Sequence, residues 1–244
     1  MPRQAHFVFP LYPGVTQLDF TGPHQFFSRM PGAKVTTASL AGQAITADGL
    51  VFAGLEDLCR IDDCDVLCVP GGNGTAEAVL NERYMAEIAR LAAQSTYITS
   101  VCTGSLVLGA AGLLQGKRAT SHWAWRDLLP QFGAILTPGR VVRDGNIFTA
   151  GGVTAGIDFG LVIVAELAGA EAAQMVQLGL EYAPAPPFES GHPDIAPAGI
   201  LADVRGRVLA TGHERRRAIA EAAARLRWQT TPPMLRTAET ALHS

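Results

Sequence analysis

Apolar positions along the chain fall in short uninterrupted runs, separated by stretches where they recur every three or four residues. Runs of the first kind read as strands buried on both faces, the second kind as helices covering them, and their alternation marks βα units on a largely parallel sheet. His6 to Pro10 predicts the first strand, and Thr21-Gly22-Pro23 predicts a helix start with Thr21 as its cap and Pro23 in its first turn. Further strands are expected at Ala33 to Ser39 and Asp65 to Val69, with a hairpin-like excursion from Ile45 to Phe52. After the glycine-rich loop Pro70-Gly71-Gly72-Asn73-Gly74, helical patterning covers Thr75 to Leu80 and Arg83 to Ala93. Tyr97 to Val101 is β-branched and aromatic, hence strand, and Gly104 to Ala111 is small and apolar, hence a buried helix. Short strands are predicted at Lys117 to Ser121, Val141 to Asp144 and Asn146 to Thr149, the last two joined through Asp144-Gly145. Helices follow at Ala155 to Leu167, Ala170 to Glu181 and Pro197 to Trp228, with proline-broken chain between Tyr182 and Pro187. One domain over residues 1–228 is expected, with a polar tail from Gln229 to Ser244.

Composition narrows the function. Of 244 residues, 48% are apolar and 17% charged, enough for a sizeable core, and a net charge of −3 offers no electrostatic footprint for nucleic acid. No apolar run approaches the ~18 residues of a membrane span. The start, Met1 to His6 followed by a stretch broken at Pro10 and Pro13, does not read as a secretory signal, so a cytoplasmic protein is expected. The four cysteines are then reduced thiols. Cys59, Cys64 and Cys68 lack a C-x-x-C pair and a nearby fourth ligand, and Cys68 sits in an apolar strand, so core thiols are expected and no metal. Arg215-Arg216-Arg217 is expected to be a solvated helix face.

Cys102 is different. In Ser100-Val101-Cys102-Thr103-Gly104 only two residues connect a strand to a helix, the elbow geometry with which α/β enzymes present a Ser or Cys nucleophile. Such a turn strains the nucleophile's backbone, requires glycine where the helix packs close, and aims the side chain at a helix N-terminus, which favours a thiolate. Gly71 and Gly72 lie at the carboxyl end of a neighbouring strand, where such sheets bind ligands. Their N–H groups are candidates for facing the oxyanion or substrate, the alternative being a plain tight turn. Asp19, just after the first strand, is on the same side of the sheet. Taken alone it reads as a helix cap. His122, Trp123 and Trp125 read as packing residues.

Taken together, Gln17-Leu18-Asp19-Phe20-Thr21-Gly22-Pro23, the 70–74 loop, Ser100-Val101-Cys102-Thr103-Gly104-Ser105-Leu106 and Gly151-Gly152-Val153-Thr154-Ala155-Gly156-Ile157-Asp158 resemble the ThiJ/PfpI superfamily, within it most closely the isocyanide hydratases. The likeness runs from about Phe7 to Arg217 and includes Tyr182 to Phe188. It implies a flavodoxin-like three-layer sandwich with a mostly parallel sheet, and a homodimer. Many superfamily members carry a glutamate opposite the cysteine and a histidine directly after it. Here the matching residues are Asp19 and Thr103, which resemble the hydratases.

The resemblance implies hydration of an isocyanide to the N-formamide through a thioimidate on Cys102. Asp19 supplies the acid and base, Thr103 bonds Asp19 or the water, and Val153 and Thr154 shape the pocket. Neither metal nor organic cofactor is needed. An acid beside a thiolate is expected to have a raised pKa through like-charge repulsion. Two rivals share parts of the pattern. A glyoxalase or deglycase of the same superfamily normally has the glutamate and histidine missing here. A transcription regulator needs a DNA-binding module longer than the chain that follows Phe188.

Overall fold

The structure, a computed structural model, describes residues 5–230. Eleven strands and eight α-helices alternate through them. The strands are β1 (Ala5–Pro10), β2 (Ala33–Ser39), β3 (Ile45–Ala47), β4 (Leu50–Phe52), β5 (Glu56–Asp57), β6 (Val66–Val69), β7 (Tyr97–Val101), β8 (Arg118–Ala119), β9 (Ile135–Leu136), β10 (Val141–Asp144) and β11 (Ile147–Ala150). The helices are α1 (Gln17–Phe27), α2 (Thr75–Ala78), α3 (Glu82–Gln94), α4 (Gly104–Ala110), α5 (Ala155–Ala168), α6 (Ala170–Gly179), α7 (Ala198–Thr211) and α8 (His213–Thr230).

Seven strands form the central sheet in the order β10-β11-β7-β6-β1-β2-β5. All neighbours pair in parallel except β10 with β11, which meet across the turn at Gly145. Parallel pairing explains the apolar runs: every residue of β6 and β11 is buried, because helices cover both faces. The flavodoxin-like sandwich expected from the sequence is therefore present. The order reverses at β1, so the carboxyl ends of β1, β6 and β7 open onto one crevice, the usual ligand position in such sheets.

Three boundaries differ from the pattern reading. Helix α1 starts at Gln17 with Thr16 in the cap position, not at Thr21, and Pro23 lies inside it. The shift carries Asp19 into the first helical turn, facing inward. The expected Lys117–Ser121 strand contracts to β8, paired with β9 outside the main sheet. The long C-terminal helix is broken at Gly212 into α7 and α8. Helix α7 has no buried residue, whereas α8 inserts Ala218, Ile219, Ala222 and Ala223 into the core. Burying Ile219 alone is worth about 1.5–3 kcal/mol, which anchors α8 beside α2 and α4. The tail expected from Gln229 lies, beyond Thr230, outside the described residues.

Candidate active site

Cys102 occupies the turn between β7 and α4 with φ 58°, a left-handed conformation that is costly for a residue with a side chain. The surroundings fix it there. Its N–H donates to the carbonyls of Ala150 and Gly151 at 3.1 and 2.8 Å, and its carbonyl accepts from Ser105 Oγ and Ser121 Oγ at 3.1 and 3.0 Å. Gly104 is required by close approach, since a Cβ there would overlap the carbonyl oxygen of Val69 in β6. The sulfur faces the N–H groups of Val153 and Thr103, and the side chain of Asp19. Val153 has φ 29°, a second unfavourable backbone conformation immediately against the sulfur.

Asp19 is wholly buried. Its Oδ2 accepts the Gly71 N–H at 2.9 Å. Oδ1 accepts no well-formed hydrogen bond, and the Cys102 thiol is the polar side chain lying against the carboxyl. Burial pushes the Asp19 pKa up to about 7, with the bonds from Gly71 and Cys102 pulling it back down. The direction matches the sequence expectation, but the cause is loss of water rather than repulsion by the sulfur. Burial also pushes the Cys102 thiol up to about 12, with the Asp19 charge adding to the shift and the Val153 and Thr103 N–H groups opposing it. The expectation that the helix N-terminus would yield a resting thiolate therefore fails: desolvation outweighs the N–H donors. The sulfur keeps its proton near neutral pH, while the carboxyl beside it changes between acid and carboxylate there.

Two further expectations need correction. Gly71 and Gly72 line up at the carboxyl end of β6, but their N–H groups are not open to a substrate. That of Gly71 is bonded to Asp19, and that of Gly72 to Thr103 Oγ1 at 3.0 Å. A Cβ at Gly71 would overlap the backbone of Thr103, so the glycine serves close approach and carboxyl positioning. Thr103 does not reach Asp19. Its hydroxyl pairs with Thr75 Oγ1 at 2.8 Å, and Thr75 pairs with the Tyr12 hydroxyl at 3.2 Å. The chain Tyr12–Thr75–Thr103–Gly72 is a buried strut that holds the glycine loop against the elbow. Backbone bonds from Thr16 to Gly71 and from Gly74 to Gly14, both 2.9 Å, fasten the same loop to the segment leading into α1.

Val153 and Thr154 line a cavity of about 390 Å³ with Ser121, His122, Trp123 and Arg140. Cys102, only 5% exposed, does not line it, but the backbone N–H of the lining residue Val153 faces its sulfur. Thr154 Oγ1 accepts from Arg140 Nη2 at 3.2 Å. His122 is a packed residue, as expected: its ring lies on Gly152, its Nδ1 accepts the Ala124 N–H at 3.2 Å, and burial lowers its pKa. Arg215 was missed. One of the three arginines leaves the solvated face: Arg216 pairs with the exposed Asp127 at 2.7 Å at the surface, whereas Arg215 turns inward over Trp125 toward the glycine loop. Among the described residues no group of three His, Cys, Asp or Glu side chains converges as a metal site. No described helix is long and apolar enough to cross a membrane.

The DJ-1/PfpI family model matches residues 5–166. The chain is 50% identical to an isonitrile hydratase of Pseudomonas putida, over 89% of this chain and 96% of that one. A solved structure of a ThiJ/PfpI family protein from Pseudomonas syringae superposes with a TM-score of 0.85 at 42% identity, covering 90% of both chains. Drosophila melanogaster DJ-1beta superposes with a TM-score of 0.67 at 28% identity, covering 74% of this chain and all of that one.

Proposed function

The chain belongs to the DJ-1/PfpI family, and from that premise we propose that it hydrates isocyanides to N-substituted formamides, with Cys102 as nucleophile and Asp19 as the acid and base. One observation carries the reading: in a chain half identical to an isonitrile hydratase, a buried carboxyl lies against the elbow sulfur. An isocyanide, R–N≡C, ends in a carbon that accepts a nucleophile and then uses its own lone pair to take up a proton. A thiol and a base on the same side of that carbon match the requirement.

The steps follow from the resting protonation. Asp19 removes the thiol proton as the sulfur lone pair forms the S–C bond. The carbon lone pair then takes that proton from Asp19, giving the thioimidate R–N=CH–S–Cys102 and restoring the carboxylate. Water next adds to the C=N carbon. Asp19 takes one of its protons and delivers it to nitrogen. The tetrahedral adduct collapses as its hydroxyl proton passes through Asp19 to the departing sulfur, releasing R–NH–CHO and the thiol. An acid with a pKa of about 7 both accepts and returns protons readily near neutral pH. The N–H groups of Val153 and Thr103 face the sulfur and support charge on it during attack and departure.

The protein acts as a homodimer. Met175 and Leu178 of α6 are 60 and 83% exposed, apolar side chains suited to contact with a second copy, and light scattering at micromolar concentration tests it. The four free thiols suit a reducing compartment, the cytoplasm. The decisive assay is incubation with an alkyl isocyanide in chelator-treated buffer, with the formamide followed by NMR and methylglyoxal as parallel substrate. Formamide production by the native protein and its loss in Cys102→Ala is the expected result. Turnover of methylglyoxal alone would reassign the chain to glyoxalase or deglycase chemistry.

A further inference from the structure

The cavity beside the elbow differs in charge from the chain as a whole. The chain carries a net charge of −3, yet among the described residues no Asp or Glu lines this cavity, whereas Arg126, Arg140, His122 and His192 all do. The four are not equivalent. Arg140 is neutralised by Asp158, and the exposed His192 lies 3.4 Å from Asp194. Burial keeps His122 neutral. Because its Nδ1 accepts the Ala124 N–H, its proton sits on Nε2, a donor with no acceptor among the described residues. Arg126 remains. It is half-buried at the start of the short helical turn Arg126–Phe132. Among the described residues its guanidinium has no hydrogen bond and no carboxylate within salt-bridge distance. The adjacent carboxylate, Asp127, is taken by Arg216 at 2.7 Å.

One wall of the same cavity is the frame of the nucleophile. The Gly151 carbonyl accepts the Cys102 N–H at 2.8 Å, Ser121 Oγ donates to the Cys102 carbonyl at 3.0 Å, and the Val153 N–H faces the sulfur. Trp123, Val153 and Ala155 add apolar surface. A molecule lodged there meets opposite charges, the Asp19 carboxyl against the sulfur and the unpaired guanidinium of Arg126 on the cavity lining. An anionic group is repelled by the first and attracted by the second, which leaves the other end of the molecule turned toward Cys102. An uncharged alkyl isocyanide would strip water from Arg126 and give it no partner, a cost that a carboxylate removes.

We propose that the cavity selects isocyanides carrying a carboxylate on a short apolar chain, with Arg126 binding the carboxylate and Trp123 packing against the chain. The assignment rests on the hydratase reading and deepens it. The reaction at the isocyanide carbon is unchanged, and the carboxylate takes no part in bond making or proton transfer. Arginine suits the task because its planar fork donates two parallel N–H bonds to a carboxylate, a fit that an ammonium lacks. The His122 Nε2–H offers a further, uncharged donor in the same cavity.

The test compares γ-isocyanobutyrate with its methyl ester, a pair alike in skeleton and different in charge, in low-salt buffer near neutral pH. The native protein is expected to favour the carboxylate about tenfold or more in kcat/KM, chiefly through KM, and the preference should narrow in high salt. Arg126→Gln is expected to lower the ratio of carboxylate to ester about tenfold, Arg126→Lys by less, and Arg126→Glu to invert it. The ratio cancels general damage to folding or to the nucleophile, so a merely structural Arg126 would slow both substrates alike and leave it in place. A native ratio of one or below, or a ratio unmoved in Arg126→Gln, overturns the proposal and leaves the hydratase reading intact. Binding of N-formyl-γ-aminobutyrate, the corresponding formamide, is followed by NMR in the same proteins. If neither isocyanide is turned over, yet this formamide binds the native protein about tenfold more tightly than Arg126→Gln, the hydratase reading falls and the anion site stands. No turnover and no difference in binding overturns both.

Discussion

Replacing Asp19 by Asn is expected to make the protein more stable above neutral pH while destroying its activity. The carboxyl has an ordinary pKa of 3.8 in the unfolded chain and about 7 in the folded one. Well below the unfolded pKa of 3.8 both states hold the proton and the group contributes nothing to the pH dependence. As pH rises the unfolded chain ionises first, so folding loses about 1.4 kcal/mol per pH unit. The loss stops growing near pH 7, when the folded carboxyl also ionises. A difference of about 3 units then amounts to about 4 kcal/mol, an upper value because side-chain and loop relaxation reduce it. Asn keeps the acceptor for the Gly71 N–H and never ionises, so it escapes the penalty.

Urea unfolding of both proteins at matched concentration, at pH 4.5, 6 and 8, provides the assay. All other titrating groups cancel in the difference between variant and native protein. The Cys102 thiol titrates well above this window. The difference should favour Asn increasingly from pH 4.5 to 8, by about 2–4 kcal/mol in total. A difference that stays flat with pH would show that Asp19 is not a buried carboxyl of raised pKa, and the proton bookkeeping of the mechanism would fail with it.

Because Asp19 must be ionised to accept the thiol proton, kcat/KM should rise with an apparent pKa near 7 and show no basic limb before about pH 10; a profile falling through pH 7 would contradict the assignment. Thr103→Val should lower unfolding free energy by about 1–3 kcal/mol, read as a lower Tm, since it strips the buried Gly72 N–H and Thr75 hydroxyl of a partner; an unchanged Tm would refute the strut. Gly104→Ala should destabilise by more than about 3 kcal/mol, because its Cβ meets the rigid carbonyl of Val69 rather than a yielding side chain, and a soluble variant with native Tm would show that the elbow has room.

The elements most legible in the sequence were those whose pattern is local. Tyr97–Val101 and Ala33–Ser39 fall where their β-branched and apolar residues place them, and the connection Cys102-Thr103 leaves little choice but an elbow. The start of α1 was misjudged because Gly22-Pro23 is a strong initiation signal, whereas the packing of Leu18 and Phe20 extends the helix upstream past it. The protonation of the site was not legible. A helix N-terminus is visible in a sequence, but full burial of Cys102 and Asp19 depends on the loops of residues 11–16 and 70–74 closing over them. The roles of Gly71, Gly72 and Thr103 changed for the same reason: which N–H is already engaged is decided by residues some thirty to fifty positions away. Arg215 carried one faint signal, a basic cluster on an otherwise alanine-rich helix with apolar residues at spacing for burial. Nothing local distinguishes the inward arginine from its neighbours.

Intact-mass analysis of the protein quenched in acid during turnover of an alkyl isocyanide examines the central chemistry most directly. The account predicts a species heavier by one whole isocyanide, located on the Cys102 peptide, that appears and decays with formamide production and is missing in Cys102→Ser. Formamide released at native rates by a protein whose Cys102 never carries that mass, or by the Ser variant, would contradict it.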